Sequence, residues 1–500
     1  MAPKFRKLLC LSATLCVLLC TSSAIGSEGE ALLKWKDTLL NSTSLSSWSR
    51  ANPTCSWVGI VCDEATGYVN ELDVPCSDLS GMLDAFSFAT FRHLEIIDLS
   101  FNNLFGAIPT NITLLVTLTI LYLDSNDLVG AIPYQLTKLT KIRVLGLRYN
   151  QLTNPDAANF SVSPSLQNLF LCGNKLTGTF PLFILKHTFV GLQKLHLSRN
   201  ALSGLIPENL QDIAPNLLHL DLSSNMFSGH IPRSVSKLTK LYLLYLAENN
   251  FTGGIPAELR NISGLGHLDL SRNMFSGGIP KDLGELAILH DLNLSWNMFS
   301  GEILKELGNL TALGTMDLSW NMLSGSLPRF FSRMQYMLSF DVANNLHLGG
   351  NILLEEFSNW TYVMLFNIAN NTFTESINPD FCQISTLEDL DLSDNLLSGL
   401  FPGCLWNLDW LVYMDFSRNA FFGDVPTSTV DTSSLEYVHL SNNNFTGFFM
   451  DAIKSSNRLL SLDLGGNKFS GTIPTWIGIS FPLIRILLLR SNIFHGSIPW

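Results

Sequence analysis

The residues of this 500-residue chain that could do chemistry recur at fixed intervals. Asp98, Asp221, Asp269, Asp317, Asp341, Asp391, Asp415 and Asp463 each stand between two apolar residues in copies of one short motif, LDLS or a near variant. Neighbouring carboxylates can share a proton for acid–base work or hold a cation. Here the aspartates follow the consensus of a repeating motif, so the column reads as a solvated structural face. The histidines are scattered: His196 and His439 alone share the aspartate slot, far apart in the chain, and read as surface residues. The sequence contains no HExxH, GxSxG, Walker loop or GxGxxG, and no kinase HRD or DFG signature. No catalytic residue, metal ligand or cofactor is expected.

More information lies where the aspartate slot breaks its own rule. In the third to sixth repeats it becomes Tyr122, Gly146, Phe170 and His196, flanked by Arg143, Arg148, Tyr149, Lys194 and Arg199. In the eighth it is Tyr245, beside Tyr242. Aromatic side chains and arginine dominate binding hot spots, and guanidinium groups pair well with carboxylates. Tyr122, Arg143, Arg148, Tyr149, Phe170, His196, Arg199 and Tyr245 are therefore the candidate ligand-binding residues, set against ordinary drift at exposed positions. Trp296 and Trp320 occupy equivalent slots in adjacent repeats, so their rings are expected to stack side by side. That pair suits a partner contact or simple mutual packing.

The elements that position these residues follow from the spacing of asparagines. Asn102, Asn126, Asn150, Asn174, Asn200, Asn225, Asn249, Asn273, Asn297 and Asn321 begin a series that continues to Asn492 in steps of 24, 25 or 26 residues. Counting an earlier unit with Ser77 in the asparagine slot gives about eighteen units, a 20–29-residue leucine-rich repeat. Within one unit, Leu268 and Leu270 alternate with Asp269, so a short strand points two side chains inward and one outward. Asn273 falls where the strand bends away, and its amide can satisfy backbone groups that lose their sheet partners. Phe275, Ile279, Leu283, Leu286 and Leu289 fill the coil, Gly277 allows a turn, and Pro280 sets up a brief helical return. One unit cannot bury its own leucines, so stability is built along the stack. The expected fold is an α/β repeat solenoid with a parallel sheet on its concave wall, roughly 85 Å long.

The ends and the composition narrow the class further. Lys4, Arg6 and Lys7 precede an apolar run from Leu8 to Leu19 and a small-residue stretch, so residues 1–26 read as a secretory signal peptide. Residues 27–67 hold an amphipathic stretch with Leu32, Leu33, Trp35 and Leu39 on one face, then CSWVGIVC, and read as an N-terminal cap. Residues 68–500 are the repeats, the last breaking off in mid-unit as in a truncated chain. Export places Cys55 and Cys62 in an oxidising compartment and makes a small disulfide loop plausible. Cys382 and Cys404 fall in neighbouring repeats, where a bridge is also open. Cys76 and Cys172 lie about 19 Å apart along the stack, too far for one. Export also gives meaning to the sequons at Asn41, Asn111, Asn159, Asn250, Asn261, Asn293, Asn309, Asn359, Asn370 and Asn444. A glycan at Asn293 would sit on the concave wall. The formal net charge is −12 with basic residues dispersed, which argues against a nucleic-acid partner.

With these residues in place, a family resemblance becomes specific. The pattern LxxLxLxxNxLSGxIPxxLxxLxx, behind a helix carrying a Trp-Lys pair and a C-x6-C loop with Trp57 and Gly59, resembles the extracellular domain of plant leucine-rich-repeat receptor kinases and receptor-like proteins. Its SGxIP element recurs as SGLIP (203–207), SGHIP (228–232), TGGIP (252–256), SGGIP (276–280), SGSLP (324–328) and SGTIP (470–474). The resemblance implies a twisted solenoid with a second short sheet, short 3-10 or helical segments on the convex side, and signal binding at the cell surface. It implies an extracellular peptide, protein or glycan ligand, a possible co-receptor kinase, and a membrane tether beyond residue 500. The rival reading is a secreted inhibitor of cell-wall polysaccharide hydrolases (polygalacturonase-inhibitor type), although those inhibitors look shorter.

Overall fold

The structure is a computed structural model and describes residues 26–498, apart from 157, 160–163, 182–189, 330, 353–358, 378, 428–433, 450–452 and 455. The signal-peptide reading falls on residues outside this range. Every repeat places its LxL segment as a three- to five-residue strand, and these strands join one 19-stranded sheet. Its first strand, Ile60–Cys62, runs antiparallel to Val69–Asp73; all later strands, to Ile486–Leu488, are parallel and in register. Beside it runs a second, interrupted sheet in sets of four, nine, three and two strands, formed by the segments after each asparagine. Short 3-10 turns such as Lys281–Glu285, each begun by a proline or its equivalent, close most coils on the convex side.

Two ladders hold consecutive coils in register. In the polar one, Asn297 Nδ2 donates to the carbonyls of Leu294 and Ser295 in its own repeat and of Leu270 in the repeat before. Its Oδ1 accepts the N–H of Phe275 at 3.0 Å. The pattern recurs along the series with offsets that vary by a few residues with repeat length, so an inward amide replaces the sheet partners that the bend removes. In the apolar ladder, Phe227, Phe251, Phe275 and Phe299 stack with ring centroids 6.0–6.3 Å apart and planes 10–11° from parallel. All four are fully buried.

The cap closes the open first coil. Helix Ser27–Lys36 buries Leu32, Leu33 and Trp35, while Leu39 is half-buried just beyond it. Trp35, Trp48 and Trp57 pack in series, and each indole N–H reaches a backbone carbonyl, on Met82, Val58 and Asn52 respectively. Cys55 and Cys62 form a disulfide that pins the loop ahead of the antiparallel strand. A second disulfide joins Cys382 to Cys404 across adjacent repeats. Cys76 and Cys172 are free thiols, the first exposed and the second buried.

Candidate ligand-recognition surface

On the concave wall each repeat offers two outward strand positions, Asp291 and Asn293 for example, with a residue on either side of them, His290 and Ser295. Stacking turns these positions into columns running the length of the sheet. The aspartate column proves not to be the solvated face expected from sequence. Asp98, Asp221, Asp269, Asp317, Asp391 and Asp415 each accept the backbone N–H two residues on, from a serine whose hydroxyl adds a second bond in most repeats. These bonds half-bury the carboxylates and spend their acceptors on closing the strand end. Burial pushes Asp269 and Asp391 above the ordinary carboxylate range and takes Asp341 up to about 6, with Asp317 and Asp391 adding to the rise. A folded-state value above the unfolded 3.8 means that the native chain binds this proton more tightly. Stability from this group is thus complete below pH ~4 and is lost as pH rises toward ~6. Asp341→Asn should remove that segment: the variant's stability relative to the parent should climb by ~2 kcal/mol between pH 4 and 7 in urea titrations. A pH-independent difference would show that Asp341 titrates normally.

The N-terminal part of the wall is organised differently. Tyr122 lies across Gly146, where a Cβ would come within 2.4 Å of its ring, and Tyr149 lies across Gly173 in the same manner. Arg148 donates from its backbone N–H and its Nε to the two oxygens of Asp124, at 2.6 and 3.2 Å. Its guanidinium stands 4.0 Å from the centroid of Phe170. Tyr122, Tyr149, Arg148, Asp124 and Asp98 thereby share one open pocket of about 290 Å³. Phe170, expected to face the ligand, is only 7% exposed. Wall curvature and the absent side chain at Gly146 let the Arg148 guanidinium cover it, so Phe170 is the floor under Arg148 rather than a free contact. Arg143 and Arg199 are exposed but stand outside this pocket, and Tyr245 is half-buried between Asp221 and Asp269.

Four of the histidines, His196, His219, His267 and His290, are not scattered. Rings of Phe170, His196, His219, Tyr242, His267 and His290 form a continuous ribbon across the wall, with centroids 5.0–6.3 Å apart. Sequence reading missed it because the ribbon changes column as it climbs. His196 shares the aspartate column, His219 and His267 take the other outward strand position, and Tyr242 and His290 precede the strand. Diagonal neighbours on adjacent strands are within reach of long ring side chains. His267 hydrogen-bonds Asp291 through Nδ1 and the Tyr242 hydroxyl through Nε2. Burial draws His196 down to about 4, so it is neutral at ordinary pH, and its Nε2 is buried without a hydrogen-bond partner. His219 is lowered too, by burial and by Lys194 and His267. His439, by contrast, belongs to a satisfied group with Asp415 and Ser461, and the Asp415 bond raises it.

Trp296 and Trp320 stack at 4.2 Å and 13° on the lateral edge, with Arg272 over the outer face of Trp296 at 5.1 Å. Their backbones, like those of nearly every residue just before a ladder asparagine, have φ near +50°. That left-handed step carries the chain out of the sheet, and nothing in the residue types of the column announced it. Among the sequons, Asn293 lies on the concave wall next to the end of the ring ribbon, and Asn370 lies in the Trp296 column. Among the described residues there is no cluster of three or more metal-ligating side chains, and no helix is long and apolar enough to cross a membrane.

A capped leucine-rich-repeat solenoid with an aromatic, partly cationic strip on its concave wall has the form of a recognition module. Comparison with known proteins refines that class. The sequence model of the leucine rich repeat N-terminal domain matches residues 25–63, and leucine rich repeat models match 93–115, 116–176, 190–251, 264–286, 289–310, 386–408, 434–456 and 458–479. The chain belongs to the leucine-rich-repeat family, and the relatives it matches include plant receptor-like kinases and receptor-like proteins. Pollen receptor-like kinase 2 of Arabidopsis thaliana is 32% identical over 211 residues, which span 41% of this chain and 24% of that protein. The chain thus spans about a quarter of that relative's length. Among solved structures, the PEPR1 receptor with AtPEP1 aligns at 30% identity and TM-score 0.69, covering 95% of this chain and 76% of that one. The Arabidopsis receptor kinase HAESA, solved with the peptide hormone IDA and the co-receptor SERK1, aligns at 27% identity and TM-score 0.67 over 95% of both chains.

Proposed function

We propose that this chain is the extracellular ligand-recognition domain of a plant cell-surface receptor. It binds an extended peptide along the concave wall between Tyr122 and His290. One observation carries this reading: over these repeats the aspartate–serine pairing is kept at Asp221 and Asp269, while the other positions bring Tyr122, Arg148, Tyr245 and the His–Tyr ribbon to the wall. Rings that lose few rotamers on contact, interleaved with hydrogen-bonding imidazoles, suit a peptide backbone. The likeness to HAESA in its complex with a peptide and SERK1 supports a peptide ligand and a co-receptor kinase as partners. On this reading residues 1–26 direct export, the domain stands outside the plasma membrane, and this chain performs no catalysis.

The test is retention of peptides from an extracellular plant fraction on the immobilised secreted chain, with bound species identified by mass spectrometry. Changing Tyr122, Tyr242 and Tyr245 together to alanine should weaken the retained peptide at least tenfold, or about 1.4 kcal/mol. Met226→Ser on the lateral edge should leave it unchanged. Equal affinity in the triple variant would overturn the assigned surface, and retention of no peptide would overturn the ligand class.

A further inference from the structure

The Trp296 column ends in an unfilled position. Running along the stack, it holds the Arg272 guanidinium, the Trp296 ring, the Trp320 ring, then Asn344 and Asn370. Arg272 covers one end of the indole pair, and the far face of Trp320 borders a groove of about 450 Å³. Trp296, Trp320, Met298, Leu346, Asn344 and Asn370 line this groove. Its apolar members are openly exposed: Trp296 by 42%, Trp320 by 46% and Leu346 by 61%.

The groove contains its own attachment point. Asn370 begins the sequon Asn370-Asn371-Thr372. Its Nδ2 donates to Asn344 Oδ1 at 2.7 Å, so the nitrogen that would carry a sugar is aimed back along the column toward Trp320. We propose that Asn370 carries an N-linked glycan whose first sugars lie in this groove, against the free face of Trp320. The transfer forms a bond from Nδ2 to the anomeric carbon of N-acetylglucosamine. It breaks that carbon's bond to the diphosphate of a lipid-linked oligosaccharide donor, and the diphosphate leaves as the amide loses a proton. The remaining amide N–H still serves Asn344. The C–H face of a pyranose is apolar with slight positive charge, complementary to the negative face of an indole. Sugar hydroxyls and the acetamide can meet the Asn344 side chain, which lines the same groove. The glycan fills on the outside the position that a third ring would have taken, and removes an exposed apolar patch from contact with other proteins.

This inference rests on export of the chain, and the experiment separates the two. The full chain is secreted from plant cells, glycopeptides are mapped, and oxidation of each tryptophan by hydroxyl radicals is timed by mass spectrometry. The expected result is a glycan at Asn370 and at least threefold slower oxidation of Trp320 than in Asn370→Gln or Thr372→Ala, both of which lack the sequon. Trp296, already between Arg272 and Trp320, should change less, and Asn309→Gln should change neither. The bond from Thr372 Oγ1 to the Leu348 carbonyl is lost in Thr372→Ala but kept in Asn370→Gln, so agreement of the two variants excludes a local packing effect. An unmodified Asn370 beside glycosylated Asn309 would overturn the proposal, as would equal Trp320 oxidation in all proteins. Absence of sugar at every sequon would overturn the export reading with it.

Discussion

Asn345→Ala is expected to lower the free energy of unfolding by about 2–4 kcal/mol, as the buried Leu323 N–H is orphaned at roughly 1–3 kcal/mol and the Leu318, Val342 and Ala343 carbonyls each lose one of two donors. Asn345 has no solvent exposure. Its Nδ2 serves the carbonyls of Leu318, Val342 and Ala343, and its Oδ1 accepts the N–H of Leu323 at 3.0 Å. Alanine removes both functions, and no water can enter a coil packed on each side. Val342 and Ala343 lose a shared donor, but the Leu318 carbonyl and the Leu323 N–H belong to the preceding repeat. The damage therefore falls on the interface between coils, which carries most of a solenoid's stability. Asn345→Asp separates the two roles, since it keeps an acceptor for Leu323 and loses the donors. Urea titration followed by circular dichroism measures both variants. A loss under 1 kcal/mol would mean that neighbouring repeats re-form the bonds without the amide.

Phe275→Ala should cost about 3–5 kcal/mol, the range for emptying a buried aromatic site. Phe275 is fully buried, and its ring lies 6.0 Å from Phe251 and 6.1 Å from Phe299. Each neighbour loses one stacked face, and a regular stack of rings on short strands has little freedom to collapse into the gap. Phe275→Leu gives the contrast. Leu104, Leu128, Leu152, Leu202 and Leu323 occupy the same slot in other repeats, all buried, so the coil accommodates leucine. That change should cost under about 1.5 kcal/mol. The two variants measured together distinguish loss of volume from loss of aromatic stacking. Equal costs would show that ring geometry, not filled space, is what the slot requires.

Much of the scaffold was legible because it is periodic. A 24-residue step of asparagines, apolar alternation in LDL and the SGxIP turn are each local signals, and repetition multiplies them. Cysteine positions likewise translate through the repeat into spatial neighbours, and the structure joins Cys382 to Cys404 across adjacent coils. The recognition surface was legible only in part. Departures from consensus singled out Tyr122, Arg148 and Tyr149, and the structure brings the three around one pocket. Phe170 was misplaced, because a slot defines which way a Cβ points and not what a neighbouring long side chain does above it. The aspartates were misjudged for the same reason: their bonds to the residue two positions on bury them in a way that alternation alone does not disclose.

The sequence by itself determined the repeat, its hydrophobic filling, the inward asparagine and the direction of stacking, since each is fixed by the chain within about one coil. Only the tertiary structure decided what lies between coils. Residues 23 or more positions apart meet there on diagonals that cross from one column to another. The ribbon from His196 to His290 is one such diagonal, and its members alternate among three sequence slots. The direction of the Asn370 amide toward the Trp320 side of its own column was likewise decided between coils. Strand twist, wall curvature and the reach of individual rotamers set these contacts, and all three are properties of the assembled stack.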